Sequence, residues 1–333
     1  MAKVTVMGAG SWGTTFAKIL ADAGNQVTLW ARRDEVVEEI NNEHRNGDYL
    51  PGIDLPPNLC ATSDTAQALT GAEQIYIAIP SQSLRASLIE WAPLIESNAI
   101  LVSLMKGVEK ESGLRMSEVI AAVAGVSADR IAVISGPNLS LEIAAEQPTA
   151  SVAASTSKET AALVAAAATN DYFTTFTNKD VIGTEFGGIL KNLIAVAIGI
   201  VNGVGYGENT KASIMTRGLS EISRFAVAYG AKEKTMVGLA GLGDLIATCE
   251  SPLSRNHKAG EMLGKGYSKR EVLKRMSQTA EGLASVAPIL QLAAEKGVEM
   301  PIVQQVQLVI DGKMNPKDIA PQLTNNTDGP QGE

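Results

Sequence analysis

Residues 4–33, VTVMGAGSWGTTFAKILADAGNQVTLWARR, decide the fold. The apolar run at 3–7 reads as a strand, and a glycine-rich turn follows it directly. Residues 14–23 carry helical periodicity and 26–30 form a second strand, so the stretch is a βαβ unit. Gly8, Gly10 and Gly13 make G-x-G-x-x-G, a pattern that is weak alone and specific between a strand and a helix. Gly8 permits the tight turn, Gly10 lets backbone approach a pyrophosphate, and Gly13 lets the helix pack on the strand. The helix start adds free N–H groups and the positive end of its dipole. This predicts a dinucleotide site; the plainer alternative is a tight turn with no ligand.

An NAD site ordinarily places an acid at the end of the second strand, on the ribose 2′-hydroxyl. Here that place reads Ala31, Arg32, Arg33, and the first carboxylate is Asp34. Two guanidiniums suit a 2′-phosphate, which predicts NADP in preference to NAD. The alternative leaves both arginines as solvated charges at a helix start.

Working outward, short β-rich runs recur at 74–79, 99–104 and 131–135, with helical stretches at 33–42, 83–95 and 115–123. A further β-rich piece lies at 148–155 and an alanine-rich helix at 159–169. This alternation predicts an α/β Rossmann-type domain with a parallel-sheet core, residues 1–180. Beyond it the periodicity is helical throughout: 183–203, 211–229, 233–240, 243–248, 255–264, 268–277, 281–295 and 301–310. We expect an all-α domain over 181–325 and a disordered polar tail at 326–333.

A length of 333 residues fits two domains, and 45% hydrophobic with 19% charged residues fits an ordinary globular core. A net charge of −8 argues against nucleic acid and anionic membrane surfaces as partners. Cys60 and Cys249 form no disulfide or metal pattern, which suits a reducing cytoplasm. The first strand begins by Lys3, leaving no room for a signal peptide. The uncharged run 192–207 is short for a membrane span and is expected to be a buried helix. With only His44 and His257 present, no metal site is expected. His44 reads as a solvated residue of a polar helix, and His257 as an acid–base group or a bystander.

The catalytic candidates lie mostly in the second half. Lys191 and Asn192 interrupt the apolar stretch 183–203, and a buried lysine is costly unless paired or functional. Gly187 and Gly188, one turn earlier, would leave room for a small molecule beside the amine; the alternative is a lysine that reaches solvent. Asp244, in GLGDLIATC, either caps a helix or pairs with a lysine. Ser254, Arg255 and Asn256 form an acid-free cluster that reads as an anion clamp or a surface turn. Lys106 ends a strand at the edge where such sheets bind ligands.

Together GAGSWGT, LWARR, SLMKGVE, SGPNLS, LKNLIA, GLGDLIATC, SRN and AEG, in order from residue 8 to 282, resemble the bacterial type of NAD(P)-dependent glycerol-3-phosphate dehydrogenase. The resemblance implies a Rossmann domain, a helical domain, a homodimer and a cytoplasmic enzyme. It further implies interconversion of dihydroxyacetone phosphate and sn-glycerol 3-phosphate, which supplies phospholipid synthesis. It makes Lys191 the general acid–base residue, with Lys106, Asn192, Asp244 and Thr248 around the reacting carbon. Ser254, Arg255, Asn256, Gly136 and Asn138 would hold the substrate. Ser11, Trp12, Ser140, Arg255, Lys106 and Glu281 would join the glycines and arginines at the cofactor. Asn138 and Ser140 depart from the common pattern, which has Ser and Ala there. Two rival readings are a related β-hydroxy-acid dehydrogenase and a non-enzymatic NADP-sensing protein.

Overall fold

A computed structural model describes residues 2–276 and 280–321. The expected tail at 326–333 lies outside them. The chain divides into two compact units, one ending at Val181 and one beginning at Ile182.

The first unit is built on eight strands: β1 (Lys3–Met7), β2 (Gln26–Trp30), β3 (Leu59–Thr62), β4 (Gln74–Ile77), β5 (Ile100–Ser103), β6 (Ile131–Ser135), β7 (Thr149–Ala154) and β8 (Phe173–Asn178). Its helices are α1 (Ser11–Asp22), α2 (Asp34–Glu43), α3 (Thr65–Leu69), α4 (Leu84–Trp91), α5 (Met116–Ala124), α6 (Ser140–Ala144) and α7 (Lys158–Ala168). The sheet order is β3-β2-β1-β4-β5-β6-β7-β8. Strand order reverses between β1 and β4, and the glycine turn leaves β1 at that switch point, where open α/β sheets bind ligands. Successive β1 residues feed opposite cores. Val4 and Val6 pack with Phe16, Tyr76 and Phe173, while Met7 packs with Ile75, Ile77 and Leu101. Burial on both faces is why these strands read as unbroken apolar runs.

The sheet is parallel except at one pair: β7 runs antiparallel to β6. A parallel return needs a crossover that travels the length of the sheet. The only helix between these strands is α6, whose five residues rise roughly 8 Å. Two strands and two short helices also escape the sequence reading. In β8, FTTFTN, the inward positions are Phe173 and Thr175, so threonine masks the alternation. β3 has four residues, too few to show a period.

The second unit consists of α8 (Val181–Val204), α9 (Glu208–Ala228), α10 (Glu233–Met236), α11 (Asp244–Glu250), α12 (Arg255–Gly264), α13 (Lys269–Arg275), α14 (Glu281–Glu295) and α15 (Pro301–Ile310). α8 is its axis: every residue from Gly183 to Val201 is buried. It is long and apolar enough to cross a membrane, yet 83% of its most apolar window lies inside the protein. Glycines bring α12 against it backbone to backbone. An added Cβ at Gly199 or Gly203 would lie 2.2 Å from the carbonyl oxygens of His257 or Glu261. One at Gly260 or Gly264 would lie 2.1 or 2.2 Å from those of Val196 or Ile200.

A buried carboxylate ties α9 to α15. Glu221 accepts the N–H groups of Ile302 at 2.9 Å and Val303 at 3.1 Å, two donors that the helix start leaves without internal partners. Burial pushes its carboxyl from 4.5 up to about 7, against the pull of those two N–H groups. The native chain therefore binds more protons than the unfolded chain between these values, and this group's contribution to stability falls as pH rises through that window. Glu221→Gln removes the titration. In urea unfolding, the stability of wild type minus that of Glu221→Gln should fall from pH 4.5 to pH 7; a constant difference would show that Glu221 does not titrate there.

Candidate functional site

The glycine turn of the first unit is shaped as a cradle. Gly8 sits at φ +125°, and a Cβ there would lie 2.5 Å from the Ala78 carbonyl oxygen. A Cβ at Gly13 would lie 1.8 Å from the Gly8 oxygen, so α1 packs onto the turn itself. At Gly10 the same test meets nothing within 4 Å: backbone faces open space there. Gly10 is also the N-cap of α1 and no side chain caps that end. Trp12 adds a buried Nε1 with no partner among the described residues. An uncapped helix start, an open glycine and an orphaned donor together fit a dinucleotide.

Two residues that the sequence does not advertise hold this turn. Asn46 donates to the Ala9 carbonyl at 3.1 Å and to Thr14 Oγ1 at 2.8 Å. Tyr49 accepts the Ser11 hydroxyl through its carbonyl at 3.1 Å. Both come from the irregular segment after α2, which carries no motif. At the end of β2, Arg33 donates to Asp48 at 2.8 Å, with both side chains exposed. Such a pair contributes little and is readily exchanged for a stronger anion. Arg32 is exposed and forms no ion pair among the described residues.

At the ends of β5 and β6 the structure gathers four more of the expected residues. Lys106 Nζ donates to the Gly136 carbonyl at 3.2 Å. Asn138 Nδ2 lies 3.3 Å from Ser151 Oγ, and its Oδ1 is buried without a partner among the described residues. Ser140 begins α6, and its carbonyl accepts the Thr15 hydroxyl at 3.2 Å, which docks that helix on α1. Ser151 and Thr15 are supporting residues that no sequence motif singles out.

In the second unit, Lys191 is 6% exposed in the middle of α8. Its ammonium donates to Asp244 Oδ1 at 2.8 Å and to Thr248 Oγ1. Asp244 and Thr248 stand one turn apart on α11, and both are buried. The lysine is thus paired, and it does not reach solvent. Gly243, not Asp244, is the N-cap of α11, so the capping alternative for Asp244 is withdrawn.

Gly187 is corrected as well. The space it leaves is filled by protein: a Cβ there would lie 2.3 Å from the Ala240 carbonyl oxygen. That close approach matters because residues 239–243 form a π-helical turn, with Gly243 N–H donating to the Gly238 carbonyl at 3.0 Å. The widened turn leads directly into Asp244, a placement typical of functional sites.

The cluster at 254–256 separates into three roles. Ser254 is the N-cap of α12, accepting the His257 N–H at 3.2 Å. Arg255 is exposed and has no ion-pair partner among the described residues. Asn256 is buried, with its oxygen taken by the Gly282 N–H at 2.9 Å and its nitrogen donating to Asn192 Oδ1 at 2.8 Å. Glu281 is the first residue of α14, half-buried. His257 turns Nδ1 to the Cys249 carbonyl at 2.5 Å; a carbonyl only accepts, so Nδ1 carries the proton. His44 is not in a solvated helix: it follows α2 at φ +53°, with Nδ1 buried.

Known proteins resemble this chain over most of its length. The family profile described as NAD-dependent glycerol-3-phosphate dehydrogenase N-terminus matches residues 3–161, and that of the C-terminus matches 180–321. A glycerol-3-phosphate dehydrogenase [NAD(P)+] of Leifsonia xyli is 64% identical over 98% of this chain and 89% of its own. The protein of that name from Frankia casuarinae is 53% identical over 99% of this chain and 98% of its own. The crystal structure of glycerol-3-phosphate dehydrogenase from Coxiella burnetii superposes with a TM-score of 0.91 at 36% identity, covering 97% of this chain and 99% of that one. The hydroxy-acid and cofactor-sensing alternatives give way to these matches. With both profiles matched, over residues 3–161 and 180–321, and a relative of that name 64% identical over 98% of the chain, the chain belongs to the NAD-dependent glycerol-3-phosphate dehydrogenase family.

Proposed function

We propose that Lys191 is the acid–base group of the family's reaction and that Arg255 holds the substrate phosphate. The reaction interconverts dihydroxyacetone phosphate and sn-glycerol 3-phosphate with NADP(H) or NAD(H). The observation that carries the reading is the Lys191 ammonium buried in an apolar helix, held by Asp244 and Thr248. Burying such a charge costs several kcal/mol unless it is compensated, and an apolar side chain would serve packing as well.

A nicotinamide cofactor held at the glycine turn would supply or receive the hydride at the carbon that changes from ketone to alcohol. In reduction, Lys191 gives a proton to the oxygen on which negative charge develops; in oxidation it takes that proton back. Asp244 and Thr248 fix the ammonium's direction. Lys106 adds a positive charge for the developing alkoxide. Gly136, Asn138 and Asn192 supply further contacts to the substrate. Arg255 offers a planar set of donors to the phosphate, with the Ser254 hydroxyl beside it on the chain. Ser11, Trp12, Ser140 and Glu281 attend the cofactor, and Arg32 and Arg33 select the 2′-phosphate. The enzyme is a cytoplasmic homodimer in this reading and supplies glycerol 3-phosphate for phospholipid synthesis. Support for the compartment comes from Cys60 and Cys249, both free thiols.

Three experiments test these assignments. Replacing both arginines, Arg32→Ala and Arg33→Ala, should lower kcat/KM for NADPH much more than for NADH; equal losses would remove them from the 2′-phosphate. Lys191→Met should lose about 10²–10⁴-fold in turnover while NADPH still binds, and near-wild-type turnover would end its proposed role. Arg255→Ala should lose at least about tenfold in efficiency with dihydroxyacetone phosphate, because each hydrogen bond to a charged group contributes about 1.5–3 kcal/mol. Unphosphorylated dihydroxyacetone, assayed at saturating NADPH, should be a poor substrate that is hardly affected. Equal proportional losses on the two substrates would place the phosphate elsewhere.

A further inference from the structure

One side chain joins the start of α14 to the lysine helix. Asn256 Oδ1 accepts the Gly282 N–H at 2.9 Å, and Nδ2 donates to Asn192 Oδ1 at 2.8 Å. The direction of both amides follows by elimination. A backbone N–H only donates, so it must meet the oxygen of Asn256. The nitrogen is then left for Asn192 and must find that residue's oxygen. Asn192 is consequently held with its N–H groups turned away from Asn256. Its Nδ2 lies 3.4 Å from the Gly188 carbonyl oxygen, a long contact, and the second N–H has no acceptor among the described residues.

The other end of the chain of bonds is a helix cap. Gly282 is the second residue of α14, and its N–H is one that the helix leaves without an internal partner. Ala280, in the N-cap position, has no side-chain acceptor to serve it. Asn256 therefore caps α14 from a neighbouring helix, one residue away from Glu281. The fit is tight. A Cβ at Gly282 would lie 2.8 Å from both the Asn192 carbonyl oxygen and Asn256 Oδ1. The backbone contacts of Gly199 and Gly260 fix the separation of the two helices that carry the asparagines.

We propose that Asn256 is a positioning residue with two separable arms. Its oxygen fixes the start of α14, and with it Glu281 at the cofactor. Its N–H groups fix the Asn192 amide so that donors, and not the carbonyl, face the oxygens of the substrate. This rests on the placement of Asn192 and Glu281 proposed above.

The two arms come apart in two variants of the full-length enzyme. Asn256→Asp keeps an acceptor for Gly282 and loses the donor to Asn192. Asn256→Ala loses both. For Asn256→Asp we expect the NADPH Kd, from fluorescence titration, to stay within about twofold of wild type, while KM for dihydroxyacetone phosphate rises at least about fivefold. For Asn256→Ala both should rise, the NADPH Kd by about fivefold, the size expected for a lost helix cap. Amide exchange at the start of α14 should quicken in Asn256→Ala alone. Unchanged NADPH affinity and unchanged exchange in Asn256→Ala would overturn the proposal, since Asn256 would then be at most a direct substrate ligand. Equal weakening of NADPH binding in both variants would overturn it too. If Asn256→Ala does not fold, the double variant Asn256→Asp with Asn192→Ala decides: a KM no higher than that of Asn192→Ala alone supports the relay, and a further rise overturns it. Asn192→Ala and Glu281→Ala, run alongside, separate the failures. Should these two affect neither KM nor Kd, the underlying placement is wrong and the proposal falls with it; should they act while the Asn256 variants do not, the relay alone is wrong.

Discussion

A charged ammonium in the middle of a buried helix is the constraint on which the second unit is organised. Lys191 has apolar neighbours along α8, so its charge needs partners from another element. Asp244 and Thr248 serve it only because α11 comes close enough, and that approach depends on backbone packing against Gly187. The widened turn at 239–243 then sets where α11 begins. A side chain at Gly187 would drive this turn away and leave the lysine without its carboxylate. The same logic repeats on the other side of α8, where four glycines admit α12 and bring Asn256 to Asn192. Close approach of backbones, obtained by omitting side chains, is what makes a polar centre possible inside an apolar bundle.

The first unit uses glycine differently. Gly8 and Gly13 are filled in by neighbouring backbone, whereas Gly10 is left open. One motif therefore contains both structural and binding positions, and spacing alone does not say which is which. Asn46 completes the device by clamping the turn from a segment far along the chain. These bonds are made without any ligand, which limits the ordering cost of binding.

Much of this was legible in the sequence because the signals were local. A strand, a glycine turn and a helix follow one another within residues 4–33, and α12, α14 and α15 have the bounds that their periodicity predicts. Lys191 and Asp244 stood out because charge in an apolar run needs an explanation. What stayed hidden depends on pairing across the chain. β8 reads as polar because threonine occupies an inward position, and β7 runs antiparallel because of a short connection, not because of its own residues. Gly187 looked like room for a ligand, since a missing side chain does not reveal what fills the gap. Asn256 reads as a substrate ligand, and what an amide in a polar cluster does not reveal is that it also joins Gly282 to Asn192.

The glycines between α8 and α12 also bear on how the chain is made. Glycine inside a helix lowers its intrinsic stability by roughly 0.5–1 kcal/mol relative to alanine, so neither helix is favoured on its own. Each becomes stable where the other lies against it. The ribosome delivers α8 first, and Gly264 follows some sixty residues later, several seconds at about 5–20 residues per second. Through that interval a 24-residue segment whose most apolar stretch has mean hydropathy 1.6, apolar enough to be taken for a membrane span, has no partner for its glycine face. The helix that ends up buried along Gly183–Val201 is thus the one that leaves the ribosome well before its cover.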